Sequence, residues 1–374
     1  MHSDDYISWL ALALTPGLGA RLGGRLLKAF GSPDAVFNAS LTALEGHRLP
    51  VAVAQAIHSR QPLSDAAKEL AKAQALGVRL LTWDEPEYPP RLKETFDPPT
   101  LLYVIGNTGL LAKHIISIVG TRRPTPYGNQ MAERLAYDLA QRGLVIGSGL
   151  ARGIDASAHR GALAATGATI GVLGCGIDVI YPKENRKLFE QMAQKGAIIS
   201  EFPMGTFAAP QNFPIRNRII AGMAVGVVVV EGAQYSGSLI TARLGMEFGR
   251  EVFGVPGNAT QPASFGPHHL IKQGAKLAGS WEDVVEELPT PIRADLMPVE
   301  SASTDEKAAL VLEGMNPTER PIYDLLAVEE ARHVDDLVEN SGLSSSEVLA
   351  ALFDMELRGV VRQLPGKQFV KVLL

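Results

Sequence analysis

The amino-terminal part of the chain has apolar residues at helical spacing. This spacing covers residues 7–14, 22–30 and 66–76, where apolar positions share one helix face. From residue 78 onward the pattern changes to short apolar runs bounded by turn residues. We therefore predict a small helical domain over residues 1–77 and a domain of another class after it.

The middle of the chain alternates short apolar runs with amphipathic segments. The runs cover residues 78–82, 101–105, 115–119, 144–146, 169–173, 197–199, 225–230 and 252–255. Between them, residues 128–142 carry one apolar stripe opposite charged positions, as an amphipathic helix does. Continuous apolar strands that alternate with such helices are typical of a parallel sheet covered on both faces. We predict an α/β fold with a Rossmann-like parallel sheet core over residues 78–288.

The carboxy-terminal part loses this strand pattern after Trp281. Residues 289–305 are rich in proline, serine, threonine and acidic residues, and they predict a linker that we place at 289–308. Residues 317–326, 334–340 and 345–357 predict three helices, the last opened by a capping box of Ser344 and Glu347. Residues 359–364 and 368–372 predict a hairpin. This order predicts a winged helix over residues 309–374.

Composition narrows the class of protein. Apolar residues make up 46% of the 374, yet no twenty of them are consecutive, and residues 1–6 lack the features of a signal peptide. We therefore expect a cytoplasmic protein with no membrane segment. The single cysteine, Cys175, excludes an internal disulfide and a cysteine-rich zinc site, and we expect no metal. The net charge of −5 means that any nucleic-acid binding needs a local basic cluster.

A glycine-rich turn lies in the helical domain. The sequence PGLG at residues 16–19 precedes Arg21, Arg25 and Lys28. It resembles the hairpin of a helix-hairpin-helix module, whose glycines let backbone N–H groups approach a phosphate. An ordinary helical turn explains the same residues equally well.

The first two strand ends of the parallel sheet carry candidate ligand contacts, because ligands of such sheets bind outside the carboxyl ends of the strands. Gly120, Thr121 and Arg122 follow the run at 115–119 and suit an anion. Residues 147–153 form a second glycine-rich loop; its candidate contacts are Ser148, Gly149 and Arg152.

The helix after this second loop carries Asp155 and His159 on one face. We expect a hydrogen bond between them that stabilises the loop, although they could also polarise a ligand.

Later strand ends add further candidates. These are Lys183, Asn185, Ser236, Gly237 and Ser238 for ligand binding, with Glu201 and Glu231 as structural loop residues. Neither the glycine spacing of a dinucleotide fingerprint nor a P-loop is present, which disfavours NAD and ATP.

The densest cluster is Phe213, Arg216, Asn217 and Arg218, which we predict to share one short loop before a helix at 219–225. Arginine pairs bidentately with phosphate, and phenylalanine stacks on an unpaired base. The cluster therefore predicts a single-strand binding site, whereas the alternative is a salt-bridged helix start.

In order, these motifs resemble those of the DNA processing protein A (DprA, or Smf) family over nearly the whole chain. The matching strings are YP at 88–89, DPP at 97–99, IVGTR at 118–122, the 148–155 loop with His159, YP at 181–182, SEFP at 200–203, RNRIIA at 216–221, Glu231, SGS at 236–238 and PG at 256–257.

The resemblance implies a binding protein without a catalytic step or a cofactor. Such a protein protects incoming single-stranded DNA in natural transformation, helps to load a RecA-type recombinase, and works as a homodimer. The loop at 120–122 and the segment at 216–218 would line its basic pocket. One departure is GPHH at 266–269, where the family usually has Gly-x-Asn, so a contact by that asparagine does not carry over.

Two other functions stay open. An enzyme of the lysine-decarboxylase-like phosphoribohydrolase type would use Glu231 or Glu201 as acid or base, but its glycine-rich motif is only loosely matched at 232–241. A DNA-binding regulator would use the winged helix, whose recognition helix is acidic, with Glu347, Asp354 and Glu356 against Arg358. We therefore predict that the winged helix contacts protein or regulates assembly.

Overall fold

A nine-stranded sheet forms the centre of the protein in a computed structural model, which describes residues 3–296 and 315–372. Its strands are β1 (Arg79–Thr82), β2 (Leu101–Gly106), β3 (Ile115–Val119), β4 (Val145–Ser148), β5 (Thr169–Val172), β6 (Ala197–Ser200), β7 (Gly226–Val229), β8 (Glu251–Gly254) and β9 (Lys276–Leu277). Their spatial order is β1-β2-β6-β5-β4-β3-β7-β8-β9. Neighbours from β6 to β9 are parallel, whereas β2 is antiparallel to both β1 and β6.

Helices cover both faces of this sheet. They are α7 (Pro90–Lys93), α8 (Pro126–Gln141), α9 (Ile154–Ala165), α10 (Arg186–Lys195), α11 (Asn212–Met223), α12 (Gly237–Glu247), α13 (Phe265–Lys272), α14 (Trp281–Glu286) and α15 (Thr290–Asp295). Because side chains alternate along a strand, Ile115 of β3 enters the core beneath α10, α11 and α12, whereas Ile116 enters the core beneath α8, α9 and α14. The predicted Rossmann-like core is confirmed.

The sheet has a switch point between β3 and β7. The chain builds outward from β3 through β4, β5 and β6, then returns to place β7 on the other side of β3. The loops after β3 and β7 therefore diverge to opposite faces and leave a crevice between them, which is the usual ligand position in open parallel sheets.

The amino-terminal helices pack against the β1 side of the sheet. They are α1 (Ser3–Leu14), α2 (Gly19–Phe30), α3 (Pro33–Phe37), α4 (Leu41–Gly46), α5 (Val51–His58) and α6 (Gln61–Ala75). Gly24 lets α2 approach the Trp83 ring, since a Cβ there would lie 3.3 Å from it. Glu69 of α6 accepts hydrogen bonds from the Tyr103 hydroxyl (3.0 Å) and the Met204 N–H (2.6 Å). These contacts fasten the helical domain to the sheet.

The carboxy-terminal unit is a winged helix, as predicted. It contains α16 (Glu319–Leu325), β10 (Arg332–His333), α17 (Val334–Ser341), α18 (Ser345–Leu357), β11 (Val361–Leu364) and β12 (Gln368–Lys371), with the strands in the order β10-β12-β11. The capping box of Ser344 and Glu347 is present at the start of α18. The unit touches α8, where Gln130 Nε2 donates to the Lys371 carbonyl (2.9 Å).

Two segments differ from the sequence-based expectation. Residues 290–295 of the predicted linker form α15, because Ile292 is buried in the core under α8 and a proline is tolerated in the first turn of a helix. Residues 297–308 of that linker lie outside the described residues. Strand β9 was not predicted, since two residues carry no periodicity.

None of the helices in the two described ranges combines the length and apolar character that a membrane crossing requires. The same ranges hold no group of three or more histidine, cysteine or acidic side chains placed to bind a metal ion.

Gly161 sets the close packing of α9 on α8. A Cβ there would lie 2.0 Å from the Glu133 carbonyl oxygen. We expect Gly161→Ala to lower the free energy of unfolding by about 1–3 kcal/mol, as overpacking does. Gly46→Ala in α4 is the control, because a Cβ there meets nothing within 4 Å. Urea denaturation measures both, and equal stability of the two variants would contradict this packing.

Candidate functional site

A cavity of about 370 Å³ lies at the switch point, above the carboxyl ends of β3 and β7. Its walls come from the loop after β3, the first turns of α11 and the start of α12. The lining residues are Val119, Gly120, Thr121, Arg122, Arg123, Ala151, Asp155, Phe213, Pro214, Arg216, Asn217, Ile220, Ser236, Gly237, Ser238, Ile240 and Thr241. The structure thus brings together most of the candidate contacts from distant parts of the sequence.

Glu231 fixes the loop between β3 and α8. Its carboxylate accepts hydrogen bonds from Thr125 N–H (2.9 Å) and Thr125 Oγ1 (2.5 Å), while its backbone carbonyl accepts from Thr121 N–H (2.7 Å). This anchoring leaves Arg122 and Arg123 exposed. Within the described part of the chain, neither guanidinium lies within 4 Å of a carboxylate. The loop therefore presents two uncompensated cations at the cavity mouth.

The loop between β4 and α9 is held by its own polar groups. Asp155 accepts hydrogen bonds from the backbone N–H groups of Gly149 (3.1 Å) and Ala151 (3.4 Å). Asn185 Nδ2 donates to the Leu150 (2.9 Å) and Ala151 (3.2 Å) carbonyls. Leu150 is buried with a φ of 52°, a backbone region that costs a non-glycine residue energy. Asn185 thus supports this loop from outside the main cavity.

Four other candidates in this region also lie outside the main cavity. Ser148 is buried, and its hydroxyl donates to the Ile118 carbonyl (2.6 Å). Arg152 pairs with Glu184 and lines only a smaller neighbouring cavity, as Gly149 does. Lys183 is exposed on a short 3-10 turn.

The expected hydrogen bond between Asp155 and His159 is absent, so that prediction is wrong. Asp155 accepts hydrogen bonds from N–H groups of the preceding loop, whereas His159 Nδ1 forms a hydrogen bond with Thr169 Oγ1 of β5 (2.7 Å). Burial lowers the pKa of His159 to about 3, so the imidazole is neutral in the folded protein.

The cluster from Phe213 to Arg218 lies in the first turns of α11 and not in a loop, contrary to expectation. Successive residues of a helix are about 100° apart, so positions 216 and 218 point about 200° apart. Arg216 consequently faces the cavity. Arg218 faces away from it and forms ion pairs with Glu201 and with Asp97 (3.3 Å).

Arg216 forms the floor of the cavity. Its Nη1 donates to the carbonyls of Gly149 (2.6 Å) and Val172, and its Nε donates to Asn217 Oδ1 (3.2 Å). Burial lowers its pKa to about 10, an effect that nearby Asp155 opposes, so the guanidinium stays charged at neutral pH. Within the described residues its Nη2 has no hydrogen-bond acceptor, which leaves a donor for a ligand.

Aromatic rings lie beside these cations. The Arg122 guanidinium is 5.1 Å from the centre of the Phe213 ring, and the centre of the Tyr181 ring is 5.6 Å from that of Phe213. The smaller cavity continues beneath these rings toward Cys175, whose thiol pKa burial raises to about 11. The thiol is therefore protonated at neutral pH and poorly suited to act as a nucleophile.

Ser236 caps the start of α12 on the opposite wall. Its hydroxyl accepts from Ser238 N–H (3.4 Å) and lies 2.8 Å from the Ser238 hydroxyl. Hydroxyl groups at a helix start can donate to an anion in the cavity.

Several lining residues were not candidates from sequence. Arg123 was detectable, because it directly follows Arg122 in the same loop. Ile220, Ile240 and Thr241 lie within strings that the sequence analysis noted, but they received no site role, because such side chains resemble core residues of α11 and α12 and only the fold turns them toward the cavity.

The sequence matches two family models. One, described as DNA recombination-mediator protein A, covers residues 79–289, and the other, the DprA winged helix domain, covers residues 302–367. The chain belongs to the DNA recombination-mediator protein A family. Among relatives in this family, Protein Smf of Escherichia coli is 40% identical over 291 residues, which cover 77% of this chain and 76% of that protein. DNA processing protein DprA of Bacillus subtilis is 46% identical over 221 residues, which cover 59% of this chain and 74% of that protein.

Solved structures of DNA processing protein A are similar to this chain. The Streptococcus pneumoniae protein superposes with a TM-score of 0.67 at 34% identity, over 74% of this chain and 96% of that one. The Helicobacter pylori protein has a TM-score of 0.51 at 31% identity, over 56% of this chain and 98% of that one, and its structure is described as showing a single-stranded DNA binding mode.

Buried His159, beneath the site, makes the free energy of unfolding depend on pH. Its pKa is about 3 in the folded state and about 6.5 when exposed, so between these values the unfolded chain binds more protons and stability falls as pH falls. We expect His159→Gln to remove on the order of 2 kcal/mol of the loss between pH 7 and pH 5, measured by urea denaturation. Exposed His58→Gln serves as control, and an unchanged pH slope in His159→Gln would refute this role.

Proposed function

We propose that this chain binds single-stranded DNA in the switch-point cavity. The observation that carries the proposal is the group formed by exposed Arg122 and Arg123, the Phe213 ring beside them and the buried Arg216 at the floor. Uncompensated guanidinium groups attract phosphates, and an aromatic ring offers a stacking surface to an unpaired base. A duplex keeps its bases stacked on each other, so this arrangement favours a single strand.

The family supports a more specific proposal about the cellular role of this protein. We propose that the protein acts in the cytoplasm as a homodimer, protects incoming strands during natural transformation and helps to load a RecA-type recombinase on them. The family description as a recombination mediator and the DNA processing names of the relatives support this role. A gel shift with single- and double-stranded oligonucleotides, with and without the recombinase, tests it.

The enzymatic alternative is disfavoured by the positions of its two carboxylates. Glu231 is engaged by Thr125, and Glu201 is paired with Arg218 on the far side of α11. Neither is aimed at the cavity as a general acid or base. Release of a free base from nucleoside monophosphates would support the enzyme instead.

The winged helix suits a protein partner better than a DNA groove. Its helix α18 exposes Leu349, Phe353 and Leu357, which are 53%, 60% and 72% accessible, at a spacing of four residues. Acidic residues flank this apolar stripe, and acidic side chains repel phosphate. We propose that this surface contacts protein.

The double change Arg122→Ala and Arg123→Ala tests the binding site. Losing two phosphate contacts should weaken oligonucleotide binding and reduce the slope of log affinity against log salt by about 1.4. Fluorescence anisotropy over a salt series measures both. Arg293→Ala is the control: Arg293 is exposed on α15, and this helix lies at the amino edge of the sheet, where its Asp295 contacts His114 just before β3. A wild-type slope in the double variant would exclude this cavity.

Arg218 provides a contrasting test. We expect Arg218→Ala to keep the salt slope of DNA binding but to lower the free energy of unfolding by about 3 kcal/mol, because Glu201 is left buried without its partner. Adding Glu201→Gln should recover part of that loss. Loss of DNA affinity in a variant that remains folded would show instead that Arg218 contacts the strand.

A further inference from the structure

Helix α2 carries three cations on one face. Arg21, Arg25 and Lys28 are exposed at positions i, i+4 and i+7, whereas Leu26 and Leu27 are buried on the other side. The three positions span about 10 Å along the helix. We call these three residues the α2 cationic face.

Nothing in the described part of the chain neutralises this face. None of its three cations lies within 4 Å of a carboxylate, and Arg25 donates only to the His47 carbonyl (2.7 Å). Glu45 on the neighbouring α4 is exposed but forms no ion pair with them. Three carboxylates near the carboxyl ends of the neighbouring strands are already paired: Asp97 and Glu201 with Arg218, and Asp84 with Lys93.

The α2 cationic face belongs to a helix that sits at the same edge of the sheet as the cavity. Gly24 and Gly23 of α2 lie against Trp83, which follows β1, and Thr100, which precedes β2. Because β2 runs antiparallel to β6, these two residues lie at the carboxyl edge of the parallel strands. Five strand spacings separate β1 from β3, which is about 24 Å. Packing of α2 on the sheet fixes this distance.

We propose that the α2 cationic face is a second phosphate-binding surface, which contacts the backbone of DNA whose single-stranded part occupies the cavity. The inference rests on the proposed function, because it extends the same ligand along the same edge. Its ligand chemistry is the phosphodiester backbone, from either the strand that leaves the cavity or an adjoining duplex. Three exposed charges that contact only phosphates make no contact with the bases, so this surface should not distinguish one base sequence from another.

The test uses the full chain with Arg21, Arg25 and Lys28 all replaced by alanine. Fluorescence anisotropy over a salt series compares a short oligonucleotide of about five nucleotides, a long one of about thirty, and a duplex with a single-stranded tail. Binding of the short oligonucleotide should stay at the wild-type level. Binding of the longer ligands should weaken roughly tenfold, and the salt slope should fall by about 2 for three lost contacts.

Two control variants distinguish the loss of these charges from a change in folding. Lys68→Ala with Lys72→Ala removes two cations of the same domain that pair with Asp65 and Glu69, and it should keep the wild-type slope. The variant Arg21→Lys with Arg25→Lys retains the charges and should retain binding. Loss of binding in this lysine variant would overturn the proposal.

The pattern of losses identifies the source of the phosphates. A loss confined to the long single strand assigns the surface to that strand, and a loss confined to the tailed duplex assigns it to the duplex; both support the proposal. Unchanged salt slopes for both ligands would overturn it. Failure of the cavity proposal is distinct, since it would appear as wild-type binding of the short oligonucleotide by the Arg122 and Arg123 variant.

Discussion

The cavity depends on one buried charge. The Arg216 guanidinium sits where three segments meet, and it bonds the carbonyls of the loop after β4 and of the end of β5 while its own helix forms a wall. Removing a guanidinium from water is costly, and these acceptors with nearby Asp155 offset that cost. The same contacts bring Gly149 so close that a Cβ there would lie 2.3 Å from Nη1. The contacts of Arg216 therefore determine both the shape of the loop after β4 and the charge at the cavity floor.

Much of the fold could be predicted from sequence, because buried parallel strands are continuous apolar runs and their covering helices are amphipathic. The run at 115–119 matches β3 at both ends, and α8 differs from its predicted bounds by two residues or fewer. The geometry of the site was harder to predict from sequence. Motif strings identified Arg216 and Arg218 as a unit, but the extension of α11 back to Asn212 separates them onto opposite faces. The partner of His159 was equally hidden, because Thr169 is close to it only once β5 has joined the sheet.

Charge is distributed unevenly in this protein. The chain is acidic as a whole, with a formal charge of −5, and the winged helix has more acidic than basic residues. Along the carboxyl edge of the sheet, however, the carboxylates of Asp84, Asp97 and Glu201 are held in ion pairs, whereas the cations of Arg122, Arg123 and the α2 cationic face are not. Net charge therefore says little about the field that a ligand meets at this edge, because paired charges largely cancel at short range.

The bond between Thr125 and Glu231 joins residues 106 positions apart. Contacts of such long sequence separation form late, because closing the intervening chain costs entropy before any contact rewards it. If β7 has not yet docked beside β3, Glu231 cannot hold the loop that carries Arg122 and Arg123, and the crevice beside that loop is absent. The cavity is thus a property of the completed sheet, and a partly folded chain lacks the arrangement of cations and aromatic rings on which the proposed function rests.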